Sequence, residues 1–420
     1  MVLAITRRPA TGAKKGTLLA ISGGPGGTGL DLIEAPYPPE VLADFDIVSY
    51  DPRGVGRSTP LIQCAGGLEP DTSTDDPEST EAAERAEVAA CVRDTGLDVL
   101  RHIGSDEATN DVDLLRAVLG EERINLLAYS YGTQIAAMYA LRFPGNYRAA
   151  VLDGVVDIAE RPNEMRVGQE RGYQATFTRL AAFCAGEYRR SGAECPLGVD
   201  PATAEATFQQ LLRNADERPL PARRGEPVTA SDILEATYTG LLWRSFWEPY
   251  LRALEALRHG DGTMVRRFAD SQDSANTNAI TAITCTDTAD PTTDRAAVQQ
   301  DAAAIYDAAT FDNYDRRPAE FPLEDCDLWP FPGKIIPGKI LPAVPTRVDS
   351  AAPLLFVGTR HDPTTPVGNA ERMAKYMTSP LLVREGDGHT FVFGNENNCI
   401  DVEVVRYLED PNSVRDKVCA

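Results

Sequence analysis

The sequence predicts an α/β fold: a mostly parallel sheet with helices on both faces and a large helical insertion. Three observations predict it. Short apolar runs alternate with helical patterns across residues 1–157. Residues 158–348 then show mostly helical periodicity and loops, with little strand signal. Alternation resumes across 349–420. The expected organisation is a core in two parts, 1–157 and 349–420, with a helical lid, 158–348, over the sheet.

Residues 2–7 alternate weakly and read as an edge strand, and Thr17 to Ser22 as a buried one. The latter runs into Ser22-Gly23-Gly24-Pro25-Gly26-Gly27-Thr28-Gly29. This loop lacks the spacing and the Lys-Ser/Thr ending of a phosphate-binding loop. Its expected role is to present a backbone N–H to an oxyanion, the alternative being a purely structural turn. Phe45 to Tyr50 is the next strand, leading to Asp51-Pro52-Arg53-Gly54, a tight loop that Asp51 and Arg53 are expected to brace as a fixed charge pair. Residues 65–85 read as a surface excursion, Glu81 to Val92 as a polar helix, and Ser105 to Val118 as a helix stopped by Gly120.

The run Ile124 to Ala128 reads as a buried strand, and helical periodicity follows at once from Gln134 to Leu141. Between them stands Ser130, with Gly132 two places on. That is the strand–serine–helix turn that lifts a nucleophile above a sheet edge. Ala149 to Asp153 follows as a strand.

Helices are expected at Gln174 to Phe183, Ala202 to Leu212, Ser231 to Leu242 and Tyr250 to Leu257. Prolines 330, 332, 337, 342 and 345 punctuate the end of the region, which holds all three tryptophans, Trp243, Trp247 and Trp329. Each is read as lid core ahead of pocket lining. Pro353 to Gly358 and Leu381 to Arg384 are the last expected strands, Asn369 to Tyr376 and Val402 to Leu408 the last helices.

A serine hydroxyl needs a general base within hydrogen-bond reach. The chain has four histidines. His102 precedes a helix, His259 ends one, and His361 adjoins Asp362. His389 lies in a glycine-flanked loop just after a strand, where a catalytic imidazole is placed. Asp362 stands at the end of the preceding strand, ahead of the rival acid Asp387. The order Ser130, Asp362, His389 is that of the α/β-hydrolase fold. Two backbone donors are expected for the oxyanion, the N–H of Tyr131 and that of Gly24.

The formal net charge is -22 and argues against nucleic acid or an anionic membrane surface as partner. It fits a solvated surface, or a mouth that attracts cationic groups such as peptide N-termini. No apolar run approaches the length of a membrane span. The first residues read as strand, turn, strand, without the apolar core of a signal peptide. Eight cysteines, without C-x-x-C or His at metal-ligand spacing, argue for disulfides in an oxidising compartment and against zinc; free thiols are the alternative. The simplest pairing is nearest-neighbour: 64–91, 184–195, 285–326 and 399–419. No cofactor or metal is expected.

SGGPGGTG (22–29), DPRGVGRS (51–58), AYSYGT (128–133), GTRHDPTTP (358–366) and GDGHT (386–390) together resemble the tripeptidyl and prolyl aminopeptidases of the α/β-hydrolase fold. The secreted tripeptidyl aminopeptidases of actinobacteria are the nearer likeness, which covers nearly the whole chain and is weakest in the lid. It implies a serine exopeptidase that cuts short peptides, often tripeptides, from free N-termini, under a cap that binds the amine through acidic residues. It also implies a secreted or cell-envelope location and the oxyanion roles of Gly24 and Tyr131. Trp247-Glu248 resembles an amine-binding pair of the prolyl enzymes, and Cys285-x-Asp287 resembles a family motif near the pocket. Trp247, Glu248 and Asp287 are therefore candidates for substrate binding. Ala128 departs from the resemblance, which has glycine there. The same triad would also serve an esterase or amidase acting on small acyl substrates, or a prolyl aminopeptidase.

Overall fold

The structure, a computed structural model of the chain, describes residues 1–64, 77–223, 226–271, 274–291, 294–313, 317–335, 352–394 and 398–420, with the backbone alone at 274–276. Residues 65–76 of the expected surface excursion, and Pro337, Pro342 and Pro345, lie outside these.

The strands are β1 (Ile5–Arg8), β2 (Gly16–Ile21), β3 (Phe45–Tyr50), β4 (Ile124–Tyr129), β5 (Tyr147–Asp153), β6 (Leu355–His361), β7 (Leu381–Asp387) and β8 (Lys417–Cys419). They form one sheet in the order β1-β3-β2-β4-β5-β6-β7-β8. Every neighbouring pair is parallel except β1 with β3. β2 and β3 are buried at every residue. Burial at every position is what a parallel strand shows when helices cover both faces, and the polar residues among these, Thr17, Asp46 and Ser49, are hydrogen-bonded.

The helices in order are α1 (Pro39–Asp44), α2 (Pro77–Asp94), α3 (Leu97–Leu100), α4 (Ser105–Val118), α5 (Tyr131–Arg142), α6 (Pro162–Phe183), α7 (Ala204–Glu217), α8 (Ala230–Leu241), α9 (Trp247–Arg258), α10 (Thr263–Ala269), α11 (Ser274–Thr288), α12 (Arg295–Tyr306), α13 (Val367–Tyr376) and α14 (Asn398–Glu409). Residues of α4, α5 and α13 pack with one set of strand side chains, around Leu126, Leu152 and Phe356. Residues of α1 and α14 pack with the other set, around Leu127, Val151 and Leu355. These alternate along the same strands, as a period of two requires.

The seven helices α6 to α12 lie in sequence between β5 and β6, which are hydrogen-bonded neighbours. Much of this segment has a core of its own, built on Phe177, Phe208, Leu254 and Phe311. α11 instead packs with α2 and α3 around Cys91, Leu100, Ile283 and Trp329. Four disulfides join 64–91, 184–195, 285–326 and 399–419, the nearest-neighbour pattern.

Three details differ from expectation. β8 was not anticipated: it is three residues long and mostly exposed, with no alternating run to mark it. It is held by pairing with β7 and by Cys399–Cys419. α10 to α12 went unnamed because α11 and α12 are rich in alanine, threonine and polar residues whose periodicity is weak. Asp51 and Arg53 both brace their loop, but not as a pair. Asp51 accepts the N–H groups of Gly29 and Arg57 at 2.9 and 2.7 Å, whereas Arg53 forks onto Asp111 of α4 at 2.6 and 2.7 Å.

Candidate active site

Ser130 ends the run of β4 and precedes the first residue of α5. Its backbone is left-handed, with φ 52° and ψ -126°. A serine rarely adopts this conformation unless its surroundings impose it. Two contacts impose it here. The Ser130 N–H donates to the carbonyl of Asp153 on β5 at 2.8 Å, and its carbonyl accepts from Thr133 at 2.8 Å. A Cβ on Gly132 would lie 2.6 Å from the Ser22 carbonyl, and one on Gly23 2.8 Å from the Ser130 Cβ. Glycine is thus required where the 22–29 loop meets the turn. Ala128 is fully buried and in register between Ile21 and Leu152, so its methyl is accommodated within the strand.

Asp362 follows β6 and His389 follows β7. The structure joins them: His389 Nδ1 lies 2.8 Å from Asp362 Oδ2. A carboxylate can only accept, so Nδ1 carries the proton and Nε2 is the basic nitrogen. Asp362 is further fixed by the amides of Thr364 and Thr365 on Oδ1 and by the Thr365 hydroxyl on Oδ2, at 2.8 to 2.9 Å. Thr365 was not anticipated from sequence; the signal was its place three residues after the acid, where a chain turning back can bond it. Burial works against protonation of His389, but the charge and hydrogen bond of Asp362, aided by Asp153, prevail and raise its pKa above the ordinary imidazole value. The rival acid Asp387 is paired with Arg179 of α6.

The insertion reaches this site. His389 donates its N–H to the Leu242 carbonyl at 3.0 Å, and the Trp243 indole donates to the His389 carbonyl at 2.5 Å. Trp243 therefore stands against His389, while Trp247 and Trp329 are core residues, 3% and 1% exposed.

The candidate binding residues fall in different places. Trp247 packs on Phe183 and under Arg244 within the helical segment. Glu248, half-exposed, is paired with Arg252 one turn on. Asp287 is 1% exposed and accepts the Ser105 N–H at 2.8 Å, the Ser105 hydroxyl at 2.6 Å and the Tyr131 hydroxyl at 2.9 Å. Burial pushes its carboxyl up to about 6, against the pull of these donors. It is thus occupied in holding Ser105, at the start of α4, and the hydroxyl of Tyr131, the residue after Ser130. Sequence reading did not single out another carboxylate pair. Tyr238 bonds Glu170 and Asp312 at 3.2 and 2.6 Å. Its ring meets that of Tyr173, whose hydroxyl is 3.1 Å from Thr364 in the Asp362 loop. Burial, with Asp312 beside it, pushes Glu170 up to about 7.

Two family models match the chain, one described as alpha/beta hydrolase fold over residues 16–190 and one as TAP-like protein over residues 309–419. Among curated relatives, the serine protease Hip1 of Mycobacterium tuberculosis is 34% identical across 97% of this chain and 81% of its own length. Carboxylesterase B of the same organism is 33% identical across 98% and 82%. A tripeptidyl aminopeptidase of Streptomyces coelicolor is 28% identical across 100% and 79%. The fold and these similarities make the protein a serine hydrolase, and the chain belongs to the tripeptidyl aminopeptidase-like family of α/β-hydrolases.

Proposed function

We propose that the protein is a serine exopeptidase that releases short peptides, tripeptides foremost, from free N-termini. The observation that carries this reading is the Asp362–His389 pair, on neighbouring strand ends of the sheet whose β4 presents Ser130. The likeness to a tripeptidyl aminopeptidase and to Hip1 directs it toward peptides.

In this reading Ser130 Oγ attacks the scissile carbonyl carbon and its proton passes to His389 Nε2. Asp362 holds the ring and stabilises the imidazolium. The developing oxyanion takes the N–H of Tyr131, which as the first residue of α5 has no carbonyl one turn back to bond, and the N–H of Gly24. The C–N bond then breaks as Nε2 returns the proton to the leaving amine. Water, activated by the same imidazole, releases the acyl peptide and restores Ser130. The helical segment supplies the lid and the carboxylates for the substrate amine. Glu170 and Asp312, which share the Tyr238 hydroxyl and are tied to the Asp362 loop through Tyr238 and Tyr173, fit that role better than Asp287, which accepts three donors from Ser105 and Tyr131, or Glu248, which is paired with Arg252. The four disulfides support an extracellular or envelope setting.

The test compares tripeptidyl amides carrying a free or an acetylated N-terminus. A strong preference for the free amine is expected; equal rates would remove the exopeptidase reading. The likeness to carboxylesterase B favours a second reading, hydrolysis of small acyl esters. Turnover of short-chain esters with no cleavage of any peptidyl amide would establish that one instead.

A further inference from the structure

We propose that Asp153, the last residue of β5, is a positioning residue that sets Ser130 with its main chain and the His389 loop with its negatively charged side chain. This rests on the serine–histidine reading above.

The geometry is specific. The Asp153 carbonyl accepts the Ser130 N–H at 2.8 Å. Its Oδ2 accepts two consecutive N–H groups, those of Phe391 and Val392, at 2.6 and 2.7 Å. One residue therefore touches the backbone on both sides of the reaction, 23 residues after the nucleophile and 238 before Phe391. The loop it holds is costly to shape. Thr390 and Phe393 are left-handed, with φ 54° and 59°, a conformation such residues keep only when the surroundings fix it. Gly154 completes the cradle: a Cβ there would lie 2.8 Å from His389 Cε1 and from Thr390 Cγ2. The imidazole thus rests on the chain just beyond Asp153.

A purely structural acceptor at this point would serve equally well as a neutral amide. Asp153 is instead a carboxylate, 1% exposed, with main-chain amides as its hydrogen-bond partners. A buried charge is costly unless it is hydrogen-bonded and paired; the two amides supply the hydrogen bonds, and protonated His389 would supply the pairing charge. The titratable groups that face it are His389 and Asp362, from the loops after β7 and β6, and Tyr129 on β4. Among these, only the imidazole becomes a cation, and it does so when it takes the serine proton. Burial pushes the Asp153 carboxyl up to about 6, while the two amides pull it down. Above that pH the charge is present, which is the range in which neutral His389 can act as base.

The experiment follows labelling of Ser130 by a fluorophosphonate against pH, with kcat and KM on a tripeptidyl amide, in wild type, Asp153→Asn and Asp153→Glu. Labelling needs the nucleophile and base but no peptide specificity. If the wild type is not labelled, the serine–histidine reading itself fails. Granted labelling, Asp153→Asn keeps an acceptor and loses the charge. It should slow labelling and lower kcat about tenfold to a hundredfold, the cost of a misplaced or less stabilised base, with KM little changed. Its acid limb should move to lower pH, because a negative charge that supports protonated His389 is gone. Asp153→Glu keeps the charge and should keep the limb at its wild-type pH while still slowing labelling. A wild-type rate in Asp153→Asn overturns the proposal, as does a slowed rate with an unmoved limb. Should Asp153→Asn not fold, an unaltered labelling rate in Asp153→Glu overturns it by itself.

Discussion

The sheet and the helical insertion both hold His389, by different means. From the sheet come a carboxylate fixed by four donors, the left-handed turn at Ser130, and Gly154 beneath the ring. From the insertion come one carbonyl, that of Leu242, and one indole N–H, that of Trp243. The sheet's contacts involve backbone at strand ends, where register leaves little freedom. Those of the insertion are few and are borne by the joint after α8. The difference teaches that the contacts fixing His389 come mainly from the sheet, which under the proposed function would assign reactivity to the sheet and leave the insertion to adjust it.

The steepest test of that division is Asp362→Asn. It should cut turnover about 10⁴-fold with the fold intact, because the imidazole loses its orienting charge. The wild-type rate should climb with pH along a limb above the ordinary imidazole value. His389 must be neutral to accept a proton, and its pKa is raised in the folded protein. In the variant that limb should shift downward; a limb left in place would mean another group is the base.

Next in size is the Cys285–Cys326 link, which anchors the helix carrying Asp287. Replacing both cysteines by serine should cost about 2–5 kcal/mol on unfolding. If Asp287 matters through Tyr131, activity should fall along with the melting temperature. A melting temperature within a degree of wild type would show that packing around Trp329 suffices without the link.

Trp243→Phe probes the insertion's grip on the base. It removes one hydrogen bond, worth about 0.5–1.5 kcal/mol, so kcat should drop a few-fold with the acid limb unmoved. A loss as large as that in Asp362→Asn would erase the division drawn here.

The smallest effect is reserved for Glu248→Gln. Its ion pair with Arg252 is solvent-exposed, so stability should change by no more than about 0.5 kcal/mol. A many-fold rise in KM for free-amine peptides alone would return Glu248 to the substrate site.

Much of this was legible in the sequence, for identifiable reasons. The buried strands were visible because both faces are covered, so Leu18, Ile47 and Leu126 sit in short, mostly apolar runs. Ser130, Asp362 and His389 stood out because each follows such a run and because their order is informative. Asp153 was read only as the end of a strand. Its meaning lies in two amides 238 and 239 residues away, and no local pattern encodes such a meeting. Arg53 was assigned the wrong partner for the same reason: Asp111 is distant in sequence and adjacent in space. The lid residues were hardest to place, since an acid on a helix reads alike whether it faces a substrate, as a site would need, or a neighbouring arginine, as Glu248 does.

The order of the disulfides has a consequence for biogenesis. Of the roughly one hundred ways to pair eight cysteines, the chain uses the one in which every cysteine bonds the next unpaired one along, at separations of 27, 11, 41 and 20 residues. No loop encloses or interleaves with another. A polypeptide emerging N-terminus first into an oxidising space can therefore close each link as soon as its second thiol appears. No earlier bond has to be reopened, and the correct covalent framework can be assembled vectorially, ahead of the sheet that needs the last strands to be complete.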